Sequence, residues 1–374
     1  ITQALTAAYN HAPDLQSALL NAKASAENIA LAESAKRPTI GASLSGNYNW
    51  SVINNNFADG ESMTTGLSYN QTIFDNGKTE ADIEAARAGA EAAEYQIRST
   101  EQTVLLAVVQ AYMAVYSGRQ LVSLRKENTS FYSAQLQSSN DRLNVGEGTR
   151  IDVAQAQARL AQGDAAYRAA ISSLETSQAT FQRYVGAPPQ NLNPANNFAR
   201  LIPKSLPAAI AEAEAGHPSI MMAKAAIRAA QATADGAAAA FGPTASINGS
   251  AGSKIAGPSN GKTDGFSGSL GFQITVPIYA GGAIGANVRK ANINEIKSEV
   301  DAMSAYDQIR EAVISAWAGI QSADAQISSA NSAVSAGRTV LDGVIQERDL
   351  GTQTTLDVLN AQAELSTAQE SLIT

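Results

Sequence analysis

The chain has 374 residues and a formal net charge of −8, with aromatic residues at 6 % and charged residues at 16 %. Alanine makes up about a fifth of it, so much of the 44 % apolar content comes from a residue with little side chain to bury; that suits closely packed helices better than a large interlocking core. The absence of cysteine excludes disulfides, thiolate metal sites and cysteine nucleophiles, two histidines leave little imidazole chemistry, the acidic balance disfavours nucleic acid, and no apolar run is long enough to cross a bilayer as a helix.

Read along the chain, one pattern occurs twice. Pro13, Pro38-Thr39, Phe74, Gly77, Gly146, Asp152-Val153 and Gln157 recur as Pro218, Pro243-Thr244, Tyr279, Gly282, Gly351, Asp357-Val358 and Gln362, each 205 residues later. A constant spacing over turn, aromatic and acidic positions predicts two internal repeats, 1–205 and 206–374. In the first, an alanine-rich helix from near Pro13 to Lys36 precedes strands at about 38–52 and 62–74, a long helix at about 78–141 and a return helix at about 149–185. In the second, a helix from near Pro218 to Ala240 precedes strands at about 243–256 and 265–279, a long helix at about 283–348 and a return helix from about 354. Thr374 matches Ala169, so this last helix is expected to be truncated. The segment from Pro188 to Pro207, with Asn191, Asn193, Asn196 and Asn197, is the expected connector.

The strand readings rest on alternation. Ile40, Ala42, Leu44, Tyr48, Trp50 and Val52 share one face while Ser43, Ser45, Asn47, Asn49 and Ser51 share the other. A turn-rich loop over 54–60 leads to Met63, Leu67, Tyr69 and Ile73 in phase, and Phe266, Leu270, Phe272, Ile274, Val276 and Ile278 repeat the pattern. After Gly77 the period becomes heptad: Ile83, Ala90, Ile97, Val104 and Ala111 fall seven apart, with Ala86, Ala93, Thr100, Ala107 and Ala114 between them. Such a helix runs for roughly 95 Å at about 1.5 Å per residue, far beyond a globular domain. Short glycine turns at Gly146, Gly148 and Gly351 reverse the long helices. Two hairpins supply four strands, and a closed membrane barrel needs at least about eight, so a ring of three chains giving twelve is the expected closure.

The order helix, strand, strand, long helix, glycine turn, helix, taken twice, resembles the TolC family of outer-membrane efflux and secretion channels. The residues that carry the resemblance are Pro277-Ile278-Tyr279-Ala280-Gly281-Gly282 after the second hairpin, Gly351-Thr352-Gln353-Thr354-Thr355-Leu356-Asp357 at the second tip, and Arg142-Leu143-Asn144-Val145-Gly146 with Asp152-Val153 at the first. The resemblance implies a mainly α chain with a β-barrel part: a homotrimer forming a 12-stranded barrel in the lipid of a Gram-negative outer membrane, continuous with a long periplasmic α-helical barrel and a mixed equatorial belt. It further implies a passive exit duct for a tripartite efflux pump or type I secretion system, docked by a periplasmic adaptor protein and an inner-membrane transporter, with no catalysis and no cofactor.

A duct needs a gate, and the resemblance places it at the helical tip. In the family, the aspartate matching Asp152 holds the closed entrance by bonding a tyrosine on an adjacent coil, and an aspartate ring lines the constriction. Here Arg348 stands where the tyrosine would be, Gln353 replaces an arginine, and Asn360 replaces one ring aspartate, leaving Asp357 as the other acidic position. These substitutions predict a direct Asp152–Arg348 ion pair as the latch, worth ~0.2–1 kcal/mol per exposed pair and therefore dependent on several copies. The same spacings, Thr149 to Asp152 and Thr354 to Asp357, read equally as helix capping boxes, and the two roles are compatible. His11 and His217 have no accompanying ligand cluster, so no metal is expected there. A secreted filament or adhesin of flagellin type, also poor in aromatics and free of cysteine, is the competing reading; its usual single β region does not match a hairpin that occurs twice.

Overall fold

The computed structural model describes residues 1–193, 201–258 and 263–374, so Asn196 and Asn197 of the expected connector lie outside the described residues. In chain order the elements are α1 (Thr2–His11), α2 (Pro13–Ser34), β1 (Thr39–Ile53), β2 (Asn56–Phe74), α3 (Lys78–Asn144), α4 (Arg150–Val185), α5 (Leu206–Gly216), α6 (Pro218–Ala239), β3 (Thr244–Pro258), β4 (Thr263–Thr275), α7 (Ala283–Asp349) and α8 (Thr355–Ile373). The starts of α2 and α6, β1 and β3, α3 and α7, and α4 and α8 each differ by 205 residues, and α3 and α7 each hold 67 residues. No helix among the described residues is long and apolar enough to cross a membrane. Two compact units divide the chain: Ile1–Gln16, Ser99–Ala215 and Ile309–Thr374 form one, Ser17–Arg98 and Gly216–Gln308 the other.

The second unit holds a four-stranded antiparallel sheet in the order β1-β2-β3-β4. Its pairings, Leu44 with Thr65, Leu67 with Ala251 and Gly249 with Leu270 among them, bring the apolar residues of all four strands to one face. Ile40, Leu44, Trp50, Leu67, Phe266 and Phe272 on that face are exposed. The opposite face carries mainly serine, threonine, asparagine and glycine, as at Ser43, Asn47, Thr64, Asn248, Ser269 and Gly271.

Two strand limits differ from expectation, each for a local backbone reason. The first hairpin closes through a two-residue turn, with Asn54 and Asn55 at φ 50° and 65°, so residues expected in a loop join β2. Asparagine tolerates that left-handed region, and two such residues in succession match the twist of paired strands. β4 stops at Thr275 instead of running to Tyr279, because Pro277 has no N–H for a ladder and restrains Val276 before it. Tyr279, read as a strand residue, is 89 % exposed beyond the sheet.

In the first unit α1 is a helix of its own, separated from α2 by Ala12, whose ψ of 115° is the extended backbone favoured before proline. Its Ala4 and Ala8 join Val104, Val108, Ala111, Tyr112 and Val115 of α3 and Phe181 and Val185 of α4 in one core. Val108 and Val115 are fully buried while Ala107 is half-buried and Ala114 exposed, so the buried stripe of α3 keeps the Val104 and Ala111 positions but takes the neighbours one residue on. The Tyr112 hydroxyl donates to the Asn193 carbonyl at 2.8 Å and accepts from its N–H at 2.7 Å, tying the start of the connector to α3. His11 lies against Gly186, where an added Cβ would come within 2.7 Å of the imidazole, and His217 Nδ1 accepts the Ser219 N–H at 3.2 Å as an N-cap. Val115→Ala is expected to lower stability by about 1–3 kcal/mol and Ala114→Ser to leave it within about 0.5 kcal/mol, measured by denaturant unfolding followed by circular dichroism.

Candidate functional site: the paired helix tips

Both long helices end in the same way, inside the first unit. Gly146 at φ 84° donates its N–H to the Leu143 carbonyl at 3.1 Å, and Glu147 N–H donates to Arg142 at 2.9 Å. Gly351 at φ 81° donates to Arg348 at 2.9 Å, and Thr352 N–H donates to Glu347 at 2.9 Å. Each is a Schellman cap, in which a left-handed residue turns the chain and satisfies two terminal carbonyls; glycine takes that conformation without the Cβ penalty.

The return helices begin with matched capping boxes. Asp152 Oδ2 accepts the Thr149 N–H at 2.9 Å while Thr149 Oγ1 accepts the Asp152 N–H at 3.2 Å. Asp357 Oδ2 and Thr354 Oγ1 repeat this at 2.9 and 3.3 Å. The Thr354 hydroxyl first, and its backbone N–H second, hold the Asp357 carboxyl below its ordinary range.

The structure brings the two tips together. A cleft of about 120 Å³ is lined by Arg142, Glu147, Gly148 and Asp152 from the first and by Gln353 and Thr354 from the second. Arg348, at 8 % exposure, faces the first tip's helix: its Nη1 donates to Gln135 Oε1 at 2.6 Å and its Nη2 to Asp349 Oδ1 at 2.7 Å. Within the chain, therefore, Asp152 and Arg348 take other partners than each other. Asp152 is occupied by its cap, and Arg348 is neutralised by its neighbour and by an amide on α3. Asn360 is exposed and accepts from Arg159 Nη2 at 2.9 Å, linking α8 to α4. Two turns of α3 before Gln135, Asn128 Oδ1 accepts from Gln362 Nε2 at 2.7 Å in the buried seam.

Gln135, Asn128 and Arg159 were not singled out by sequence reasoning. Asn128 and Gln135 stand seven apart on α3, and a polar residue repeating at the period of a buried stripe is the available signal for a cross-helix partner. The partner itself comes from far along the chain, so its identity needs the fold. No group of three or more histidine, cysteine, aspartate or glutamate side chains placed to hold a metal occurs among the described residues. Because the folded-state carboxyl of Asp357 is lowered, its stabilising contribution is complete above the ordinary carboxylate range and is lost as pH falls through the lowered value. Wild-type thermal stability is expected to drop over that acidic interval more steeply than that of Asp357→Asn, as followed in melts from neutral to acid pH.

Comparison with known proteins supplies the context for these tips. The family model described as outer membrane efflux protein matches residues 4–187 and 209–374. The outer membrane efflux protein BepC of Brucella suis is 38 % identical over 378 residues, covering 100 % of this chain and 81 % of its own. The outer membrane protein TolC of Escherichia coli is 25 % identical, covering 96 % and 76 %, and the alkaline protease secretion protein AprF of Pseudomonas aeruginosa is 26 % identical, covering 96 % and 78 %. The crystal structure of CusC superposes with a TM-score of 0.81 over 100 % of this chain and 87 % of that one, at 21 % identity, which shows the shared fold. The chain belongs to the outer membrane efflux protein family, the TolC family of channels that serve efflux pumps and type I secretion in the outer membrane of Gram-negative bacteria.

Proposed function

We propose that three copies of the chain form an exit duct: a twelve-stranded barrel in the outer membrane, a helical tube in the periplasm, and a gate at the paired tips. The observation that carries this reading is the open sheet. β1 and β4 lie at its two edges with no further strand beyond them among the described residues, and one face is apolar and exposed while the other is small and polar. Hydrocarbon offers no hydrogen-bond partners for an edge, so the strands must pair with further strands; lipid covers the apolar face and water the serine- and threonine-rich one. Exposed Ile293, Ile296, Val300 and Met303 on α7, three or four residues apart, form a stripe that an adjoining helix of a neighbouring copy covers.

At the tips the helices meet through polar pairs, Arg348 with Gln135 and Gln362 with Asn128, set beside apolar clusters around Val358 and Leu359. Such pairs exchange for water at a net cost of about 0.5–1.5 kcal/mol each, so the polar part of this seam is the part that a gate can open and re-form. Arg348 is the latch residue, with Gln353, Asp357 and Asn360 beside it, and Asp152 serves the helix cap. A periplasmic adaptor and an inner-membrane transporter engage this end, as in the efflux and secretion systems of the relatives.

Single-channel conductance of the full-length protein in planar bilayers tests the reading. Wild-type conductance is expected to be small, Arg348→Ala to raise it several-fold, and Asp152→Ala to leave it unchanged while lowering the melting temperature. Equal conductance in all three would discard the latch, and folded protein that forms no channels would overturn the duct.

A further inference from the structure

Above the tips, in the same unit, α3, α4 and α8 line a cavity of about 200 Å³ that shares Asn128 and Arg159 with the tip seam. Arg125 and Tyr132 line it from α3, Arg159 and Gly163 from α4, and Ser366 and Glu370 from α8. We propose that this cavity is a binding site for a small oxyanion of the phosphate class.

Its chemistry is donor-rich. Ser366 is 5 % exposed and its Oγ is buried without a hydrogen-bond partner, an expense of about 1–3 kcal/mol that a native chain rarely carries unless something fills the site. The Tyr132 ring is buried, and burial pushes its phenol above the ordinary range while Arg159 and Arg125 pull it down and Glu370 pushes it up; the hydroxyl therefore lies within the field of all three charged groups.

Arg125 gives one nitrogen to Glu370 Oε2 at 2.8 Å, and Arg159 gives one to Asn360 Oδ1 at 2.9 Å. Each guanidinium has five N–H donors, so both retain several. Two arginines against one glutamate leave the cavity one positive charge in excess. Gly163 lets the Tyr132 ring pack closely against α4, since a Cβ there would come within 2.9 Å of Tyr132 Cδ2. A cation meets two guanidinium groups in such a site, and an apolar guest leaves the Ser366 hydroxyl unpaired. An anion with several acceptor oxygens satisfies both arginines and the two hydroxyls together. Glu370 competes for Arg125 and keeps the affinity modest. Because three helices contribute, the anion binds only when they pack as they do here and so stabilises that packing by mass action.

Equilibrium dialysis of the full-length protein in non-ionic detergent with radiolabelled inorganic phosphate, at constant ionic strength set by chloride, tests the site independently of channel activity. Saturable binding of one phosphate per chain is expected, with a matching rise in melting temperature that chloride alone does not give. Arg159→Gln is expected to abolish binding, and Ser366→Ala to weaken it about tenfold, the worth of one hydrogen bond to a charged group. Ser366→Ala removes a hydroxyl that has no partner, so its folding is preserved and it carries the test if the arginine variant does not fold. No saturable binding, or binding that both variants retain at wild-type affinity, would overturn the proposal and leave a water-filled cavity.

Discussion

Four strands are too few to close on themselves, and the rest of the account depends on that. Among the described residues β1 and β4 are the edge strands, each with one side that has no partner strand. In water such edges are tolerable; in hydrocarbon each unpaired group costs several kcal/mol. Assembly is therefore part of the fold in this reading, because the chain in isolation has no way to satisfy its own sheet in the membrane its family occupies. The same requirement explains the composition. In the proposed tube, helices lying side by side would need small lateral faces more than a thick core, and alanine at about a fifth of the chain suits that arrangement.

The two tips show how one local solution serves two helix pairs whose surroundings differ. A left-handed glycine ends each long helix and a threonine–aspartate box begins each return helix. In both boxes Oδ2 of the aspartate is engaged by the threonine of its own cap. The contacts between helix pairs come from apolar clusters around Val358 and Leu359 and from long side chains reaching across, from Arg348 to Gln135 and from Arg159 to Asn360. In the proposed duct, separating the roles in this way would let the turns stay rigid when the seam opens.

Much of this was legible because turns and caps are local physics. Proline at 13, 38, 218 and 243, glycine at 146 and 351, and threonine three residues before Asp152 and Asp357 act on the backbone within a few residues, so the sequence reports them directly. What it did not report was nonlocal or ambiguous. Alanine at Ala107 and Ala114 fits a heptad as well as valine at Val108 and Val115 does, and only packing against α1 and α4 decides between them. Alternation continues through Val276 and Ile278, yet Pro277 ends the ladder. The family resemblance paired Arg348 with Asp152, whereas within the folded chain it meets an amide more than two hundred residues away and the carboxylate next door.

Closure of the sheet between copies is the central claim, and the absence of native cysteine makes it directly measurable. A cysteine placed on β1 at Ser43, Ser45 or Asn47 is combined with one on β4 at Ser269, and the membrane-inserted protein is oxidised and run on denaturing gels. The account predicts that one register yields cross-linked species that stop at three chains. Products that never exceed one chain, stop at two, or extend past three would contradict it.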